Sequence, residues 1–404
     1  MNTDIEKLIP KPPPIKKERL LCLDVLRGLT MVGMIMVDSM GDFDHVIWPL
    51  NETNWDGLTT ADCIFPSFLF IMGLAVPLAL KREDRFKGST WYKIIKRFIL
   101  LFVIGMLLNF QGRIPQVFTT SPFIGFRVMG VLQRISLCYL IVSAMYLFVP
   151  QLALQMLILV GCIAMYLGFM YGYPVPAFNA ENPCGRGVVT EECNFNGYLN
   201  RVIFGNSKKF MMYPNDPEGL FSTLTSFMNT FMGLCFSLLM RYNTQKKGNK
   251  IDLLLYWVLL SMALILVGYE ITFGDACNKK RWSVSFAFLS SGISGVALCI
   301  CFVVVDILNK PFIKEKLIKP TLWLGMNPLF IFVAMIAFDN LLMNNIKFNF
   351  NGKRTNVWNF IDKQLFDSWI KQPYVSSVIV SFLNLLLWLA VAYVLYIKKI
   401  FIKL

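Results

Sequence analysis

The sequence predicts an all-α, polytopic membrane protein, a bundle of about ten transmembrane helices, and three observations carry that prediction. Hydrophobic residues make up 56% of the 404 and charged residues only 16%, where soluble domains carry about a quarter charged. Aromatic residues reach 14%, with 35 Phe, a bias that suits lipid-facing and interfacial surfaces. Stretches of about 20 mostly apolar residues, the length needed to cross a hydrocarbon core of about 30 Å, recur along the chain.

In chain order, residues 1–19 are polar and Pro-rich, with no apolar h-region or cleavage site. They read as a disordered cytosolic leader ahead of one membrane domain over 20–404. The spans fall near 20–40, 61–80, 94–110, 128–149, 152–172, 219–240, 252–273, 282–308, 319–343 and 375–397. The third is the weakest, because Lys96 and Arg97 clip its end, and Gly325-Met326-Asn327-Pro328 breaks the ninth. Alternate loops carry 23 and 14 Lys+Arg; the hairpin Lys81–Arg97 holds seven, whereas Gly41–Thr60 holds none and four acids. The positive-inside rule then places both chain ends in the cytosol. The net charge of +14 is absorbed by this topology, which argues against a nucleic-acid partner and for membrane lipid. Loops 41–60, 111–127, 173–218 and 344–374, on the opposite face, are long enough to hold structure.

Two of the ten cysteines, Cys184 and Cys193, share the 173–218 loop across a Gly-rich turn. A disulfide there suits an oxidising face; two free thiols, or competition from Cys277, are the alternatives. With a single His and no Cys-x-x-Cys pair, no metal site is expected.

Ionisable residues inside a span are costly, so each is a candidate site. Asp24 and Arg27 lie three apart on one face of the first helix, fit either to close the bundle end as an ion pair or to offer a guanidinium to a phosphate arriving from the cytosol. Asp38 follows eleven residues on, roughly 16 Å along the axis. An acidic loop comes next, with Asp42, Asp44, His45, Glu52 and Asp56, running into Asp62 at the start of the second helix. Asp62 fits a helix N-terminus electrostatically, with Thr59 or Thr60 as N-cap. The density of carboxylates argues for more than capping. Gln133 and Arg134 lie in the fourth helix, and Asp216-Pro217-Glu218-Gly219 and Asn278-Lys279-Lys280-Arg281 precede later helices from the same face as the acidic loop. Together they describe a polar cavity crossing the bundle.

From Arg19 onward the chain resembles the heparan-α-glucosaminide N-acetyltransferase family of transmembrane acetyltransferases and its bacterial relatives. The residues that carry the resemblance are Leu23-Asp24-x-x-Arg27-Gly28, Trp55-x-Gly57-x-Thr59-x-x-Asp62 with Phe65-Pro66, Phe70-Ile71-Met72-Gly73 and Gly130-Val131-Leu132-Gln133-Arg134. Gly197-Tyr198-Leu199-x-Arg201, Asp216-Pro217-Glu218-Gly219, Gly325-Met326-Asn327 and the tail Tyr396-x-Lys398-Lys399-Ile400-Phe401 continue it. The resemblance implies transfer of acetyl from cytosolic acetyl-CoA to a glucosamine-type amine on the luminal or periplasmic side. It points to a lysosomal-type membrane in a eukaryote or an inner membrane in a bacterium, and to a homodimer. Arg27, Gln133, Arg134 and Asn327 would face acetyl-CoA, and Trp55, Asp216 and Glu218 the acceptor.

The chain departs from the family at the centre of that site. The family's histidine, three residues before Trp-x-Gly, falls at Glu52, and an asparagine near the luminal end of the first helix falls at Asp38. An acetylated carboxylate would be a labile mixed anhydride, so direct transfer in a ternary complex is expected, with Glu52 as base and Asp38 and Asp62 holding the amine. The alternative is a catalytically altered member that binds or transports an anionic metabolite. Asn51-Glu52-Thr53 is also a glycosylation sequon, and a glycan there would crowd the site.

Overall fold

The computed structural model describes residues 20–111, 127–178, 183–204, 215–308, 310–313, 316 and 318–402. The leader expected over 1–19 lies outside them. The principal helices are α1 (Leu21–Asp38), α2 (Thr60–Ala79), α3 (Gly88–Gln111), α4 (Val131–Phe148), α5 (Leu152–Gly172) and α6 (Phe195–Phe204). They continue as α7 (Thr223–Gln245), α8 (Lys250–Ile271), α9 (Val284–Phe302), α10 (Lys319–Met326), α11 (Pro328–Asn340) and α12 (Pro373–Ile397). One antiparallel hairpin, β1 (Lys347–Phe350) with β2 (Lys353–Asn356), stands before short helical turns that lead into α12.

Among the described residues nine helices are long and apolar enough to cross a membrane. The first helix is not one of them by composition, because Asp24, Arg27 and Asp38 fall within its 18 residues. It nonetheless packs inside the bundle, against α2, α10 and α12. α3 begins at Gly88 and takes Lys96 and Arg97 into its helix, where they had been expected to clip its end. Long basic side chains lay their methylenes along apolar surface while the charge reaches the interface, and Arg97 stacks over the Tyr139 ring at 4.7 Å.

Local signals set the helix starts. Asn249 and Asp252 exchange hydrogen bonds of 2.8 and 3.0 Å at the head of α8, and the Ser283 hydroxyl accepts from the Phe286 amide at the head of α9; each satisfies an otherwise orphaned helix-end donor. The break at Asn327-Pro328 separates α10 from α11. Asn327 fills the gap by donating to the Ile400 carbonyl and accepting from the Ile402 amide, both at 2.9 Å.

α2 and α7 form the centre, with 72% and 78% of their apolar windows buried, whereas α3 and α5 bury only 17% and face outward. The central crossing is a backbone contact: a Cβ on Gly73 would overlap the Thr230 carbonyl, and one on Gly233 the Phe70 carbonyl. Small residues permit that approach where lipid supplies no hydrophobic drive between helices. A second packing unit joins Met31 and Ile35 of α1 to Leu324, Ile331, Met335, Leu385, Trp388 and Ala392 of α10 to α12. The other face of α1 contributes Cys22, Leu23, Val25 and Leu26 to the main core. α1 therefore forms the seam between two packed units, and the cavities lie along it.

Candidate functional site

Two cavities share the space enclosed by α1, α2, α3, α4 and α11. The larger, about 420 Å³, is lined mainly by apolar side chains together with Arg27, Arg97 and Tyr139. The smaller, about 260 Å³, lies toward the acidic loop and is lined by Asp38, Glu52, Asn109, Arg127, Gln133, Glu218, Lys279 and Lys280 among apolar neighbours. Met34, Val131, Leu132 and Phe332 line both. Those four side chains are the wall between an apolar, arginine-bearing chamber and a polar one.

Asp38 stands at the last residue of α1, in the polar chamber, and makes no hydrogen bond or ion pair with the described residues. Glu52, also in that wall, is ion-paired to the Lys279 ammonium and leaves 46% of its side chain exposed. Asp62 is fully buried. One of its oxygens accepts from the amides of Thr53 and Thr59 and from both their hydroxyls, at 3.0 to 3.3 Å. The other lies 3.7 Å from Lys279. Asp62 thus folds the acidic loop and caps α2, one layer behind the cavity surface. Burial works against the charge of Lys279, but the Glu52 and Asp62 carboxylates outweigh it and hold its pKa above the ordinary lysine value.

Asp216 and Glu218 converge on Arg127. The guanidinium donates to the two oxygens of Asp216 at 3.1 and 2.6 Å and also pairs with Glu218. Desolvation opposes the Arg127 charge, and the Glu218 and Asp216 carboxylates more than offset it, raising its pKa. Trp55 lies off the cavity wall; its indole donates to the Val189 carbonyl at 3.2 Å, tying the acidic loop to the segment closed by the Cys184–Cys193 disulfide. Asp56 accepts from Asn278 at 3.0 Å and Gly57 donates to the Cys277 carbonyl at 2.7 Å. The loop bearing Glu52 is therefore pinned from two sides.

At the other end, Arg27 donates to Asp24 at 3.0 Å, the ion pair that was one of the two readings of these residues, and it also lines the apolar chamber. Gln133 lies in the polar chamber wall, 1% exposed. Arg134 points away from both chambers. Its guanidinium donates to the Gly219 carbonyl and the Ser222 hydroxyl and stacks over Trp282 at 4.7 Å. A carbonyl, a hydroxyl and an indole face stand where a carboxylate or cavity was expected, and Nε and Nη1 are buried with no hydrogen-bond partner among the described residues. Asn327 likewise binds the C-terminal backbone, one residue of which, Ile402, lines the apolar chamber. His45 lies outside both chambers, 3.0 Å from Asp42 and edge-on to Tyr374. Asn51 of the sequon is exposed beside Glu52.

Arg127 and Asn109 form part of these walls without having been singled out in the sequence, Lys279 and Lys280 were expected among the polar-cavity residues, and Arg97 was read only as clipping the third span. In the chain, Arg127 registers only as loop charge. The local hint was that carboxylates so dense need cations, but their partners stand 89 and 227 residues away. Among the described residues no group of three or more His, Cys, Asp or Glu could hold a metal ion.

Residues 19–199 match the family model described as heparan-alpha-glucosaminide N-acetyltransferase, catalytic. The chain is 26% identical to the heparan-alpha-glucosaminide N-acetyltransferases of Homo sapiens and Mus musculus, over 95% of its own length. It spans 60% of the length of these relatives. The matched segment contains α1 to α5 and the acidic loop, and with them four of the five helices enclosing the chambers. Its apolar helices make the chain an integral, multi-pass membrane protein, similar over residues 19–199 to the heparan-α-glucosaminide N-acetyltransferase family.

Proposed function

We propose that this protein is a transmembrane acetyltransferase that takes acetyl from acetyl-CoA at the Arg27 end of the bundle and delivers it to a glucosamine-type amine at the Glu52 end. The Arg27 end faces the cytosol in this reading, with both chain termini. The observation that carries it is the pair of unlike chambers meeting at one wall. A substrate with a long, largely apolar arm and an anionic head suits the 420 Å³ chamber, whose apolar walls end in Arg27 and Arg97. Arg97 Nε is buried with no hydrogen-bond partner among the described residues, a donor available to a phosphate or carbonyl oxygen. A sugar amine suits the polar chamber.

Asp38 takes the role of base. The acceptor amine arrives as an ammonium, and Asp38, a carboxylate in the wall with no hydrogen bond or ion pair to the described residues, receives its proton. The neutral nitrogen then forms a bond to the thioester carbonyl carbon, the carbon–sulfur bond breaks, and sulfur leaves with the second amine proton. Glu52, expected from the sequence to be the base, is held by Lys279; with Glu218 and Arg127 it shapes the acceptor wall and offers hydrogen bonds to sugar hydroxyls. The single imidazole takes no part, which favours direct transfer over an acetylated enzyme.

The test is transfer of labelled acetyl from acetyl-CoA to a panel of amino sugars by the purified full chain. Asp38→Asn should lower kcat/KM by about 10²- to 10⁴-fold, the usual worth of a positioned base, and Glu52→Gln by clearly less. Near-wild-type transfer by Asp38→Asn would remove Asp38 from the chemistry. No transfer to any amino sugar, with acetyl-CoA binding intact, would favour a member that binds or transports an anionic metabolite. Carboxylates at both positions where the family carries histidine and asparagine are the observation on that side.

A further inference from the structure

In the transfer reading the acetyl group passes between the chambers, and one side chain of the polar chamber, next in sequence to two residues that line both, carries a donor with no partner among the described residues. Of the two carboxamides in the polar chamber, Asn109 is spent on its own surroundings, donating to the Arg127 and Met129 carbonyls at 3.0 and 3.3 Å. Gln133 is 1% exposed, and its Nε2 is buried with no hydrogen-bond partner among the described residues. Folded proteins rarely leave a buried amide donor unanswered, so such a group calls for a ligand. Its position is specific. Gln133 follows directly on Val131 and Leu132, which line both chambers, in the first turn of α4. The amides of a first helical turn lack intrahelical partners and carry the positive end of the helix dipole.

The seat of this carboxamide is cut to fit by two glycines. A Cβ on Gly105 would stand 2.5 Å from Gln133 Oε1, and one on Gly130 would stand 2.9 Å from it. Any larger residue at either position would push the amide from its place at the junction.

We infer that Gln133 is the oxyanion donor of the acetyl transfer, a role that rests on the transfer reading above. As the amine nitrogen bonds to the carbonyl carbon, the carbonyl π pair moves onto oxygen, and the Gln133 Nε2–H donates to that developing charge. When the pair returns, the carbon–sulfur bond breaks and sulfur leaves with its bonding electrons and the proton from nitrogen. A preoriented donor in a dry site strengthens as charge develops, so it acts on the transition state more than on bound acetyl-CoA. This differs from the donor-binding role that the family resemblance suggested for Gln133, and kinetics separates the two.

The experiment uses the full-length protein in detergent, with Gln133→Leu, Gln133→Asn and Gly105→Ala beside wild type, each checked for a matching elution volume and melting temperature. Gln133→Leu should lower kcat by about 10²- to 10³-fold, the loss expected for one oxyanion donor, with acetyl-CoA affinity nearly unchanged. Gly105→Ala, which leaves the amide but displaces it, should fall between. Should Gln133→Leu fail to fold, Gln133→Asn, which draws the amide back by one methylene, must show the kcat loss. A loss confined to acetyl-CoA affinity, or no loss, overturns the assignment. A second readout needs no turnover: the infrared carbonyl band of bound [1-¹³C]acetyl-CoA should move to lower frequency in wild type and not in Gln133→Leu. If wild type transfers nothing to any acceptor, the transfer reading falls, and this band still decides whether Gln133 meets the thioester oxygen: a band that does not differ between the two proteins overturns the contact.

Discussion

The carboxylates around the polar chamber differ in their surroundings, and the surroundings decide what each can do. Asp62 is surrounded by Thr53, Thr59 and Lys279 and holds the loop; Glu52 is ion-paired to Lys279; Asp38 has no hydrogen bond or ion pair with the described residues. Lys279 is the shared counter-ion, and its titration gives a pH test with a definite sign. Its pKa lies above the ordinary 10.5, so its stabilising contribution is complete below that value and is lost as pH rises through the folded pKa. Lys279→Met should therefore melt lower than wild type at pH 7, with the gap closing only above pH 10.5. A gap that closes between pH 7 and 9 would mean that Lys279 is not held by those carboxylates. The sequence made Glu52, Asp62 and Lys279 visible as members of one polar set but not their pairing, which for Glu52 joins residues 227 positions apart.

Among the elements, the crossing of α2 and α7 depends on absent side chains. Gly73→Val would drive a branched Cβ into the Thr230 carbonyl, a backbone group that cannot swing aside. We expect destabilisation on the order of 3 kcal/mol, the upper end for overpacked cores, read as a lower melting temperature in detergent. Substitution at Gly161, which has open space around it on outward-facing α5, should leave the melt unchanged. An equal effect at both sites would show that glycine content, not the crossing, matters. The sequence displayed Gly73 as part of a family motif, yet which helix it would meet follows only from packing. The helices themselves were legible because an apolar run of the right length has few alternatives in lipid.

For the molecule as a whole, the wall between the chambers is the feature on which transfer across the bundle depends. Phe332 reaches that wall from α11, beyond the Asn327-Pro328 break, and borders both cavities. Phe332→Trp should narrow the passage while leaving the arginine-bearing end open. Acetyl transfer should then fall at least tenfold, with acetyl-CoA affinity within a few-fold of wild type, as expected when positioning at the reacting centre is disturbed but remote binding is not. Loss of acetyl-CoA binding alone would mean that Phe332 belongs to the donor chamber rather than to the junction.

The sequence by itself determined the class of the molecule, the positions of its long apolar helices, a family resemblance and the carboxylates at 38 and 52, because hydropathy, charge and motif are local properties that survive without coordinates. Only the tertiary structure decided which charges meet: Arg127 with Asp216 and Glu218, Lys279 with Glu52 and Asp62, Arg134 with a carbonyl and an indole instead of an acid. It also decided that Asp38 has no hydrogen bond or ion pair with the described residues, that Gln133 lines the polar chamber, and that an apolar and a polar cavity share four lining residues. Those outcomes depend on the rotation of each helix about its axis and on contacts across hundreds of residues. Burial makes each pairing consequential, since a charge or amide removed from water must find its partner in the bundle or in the substrate.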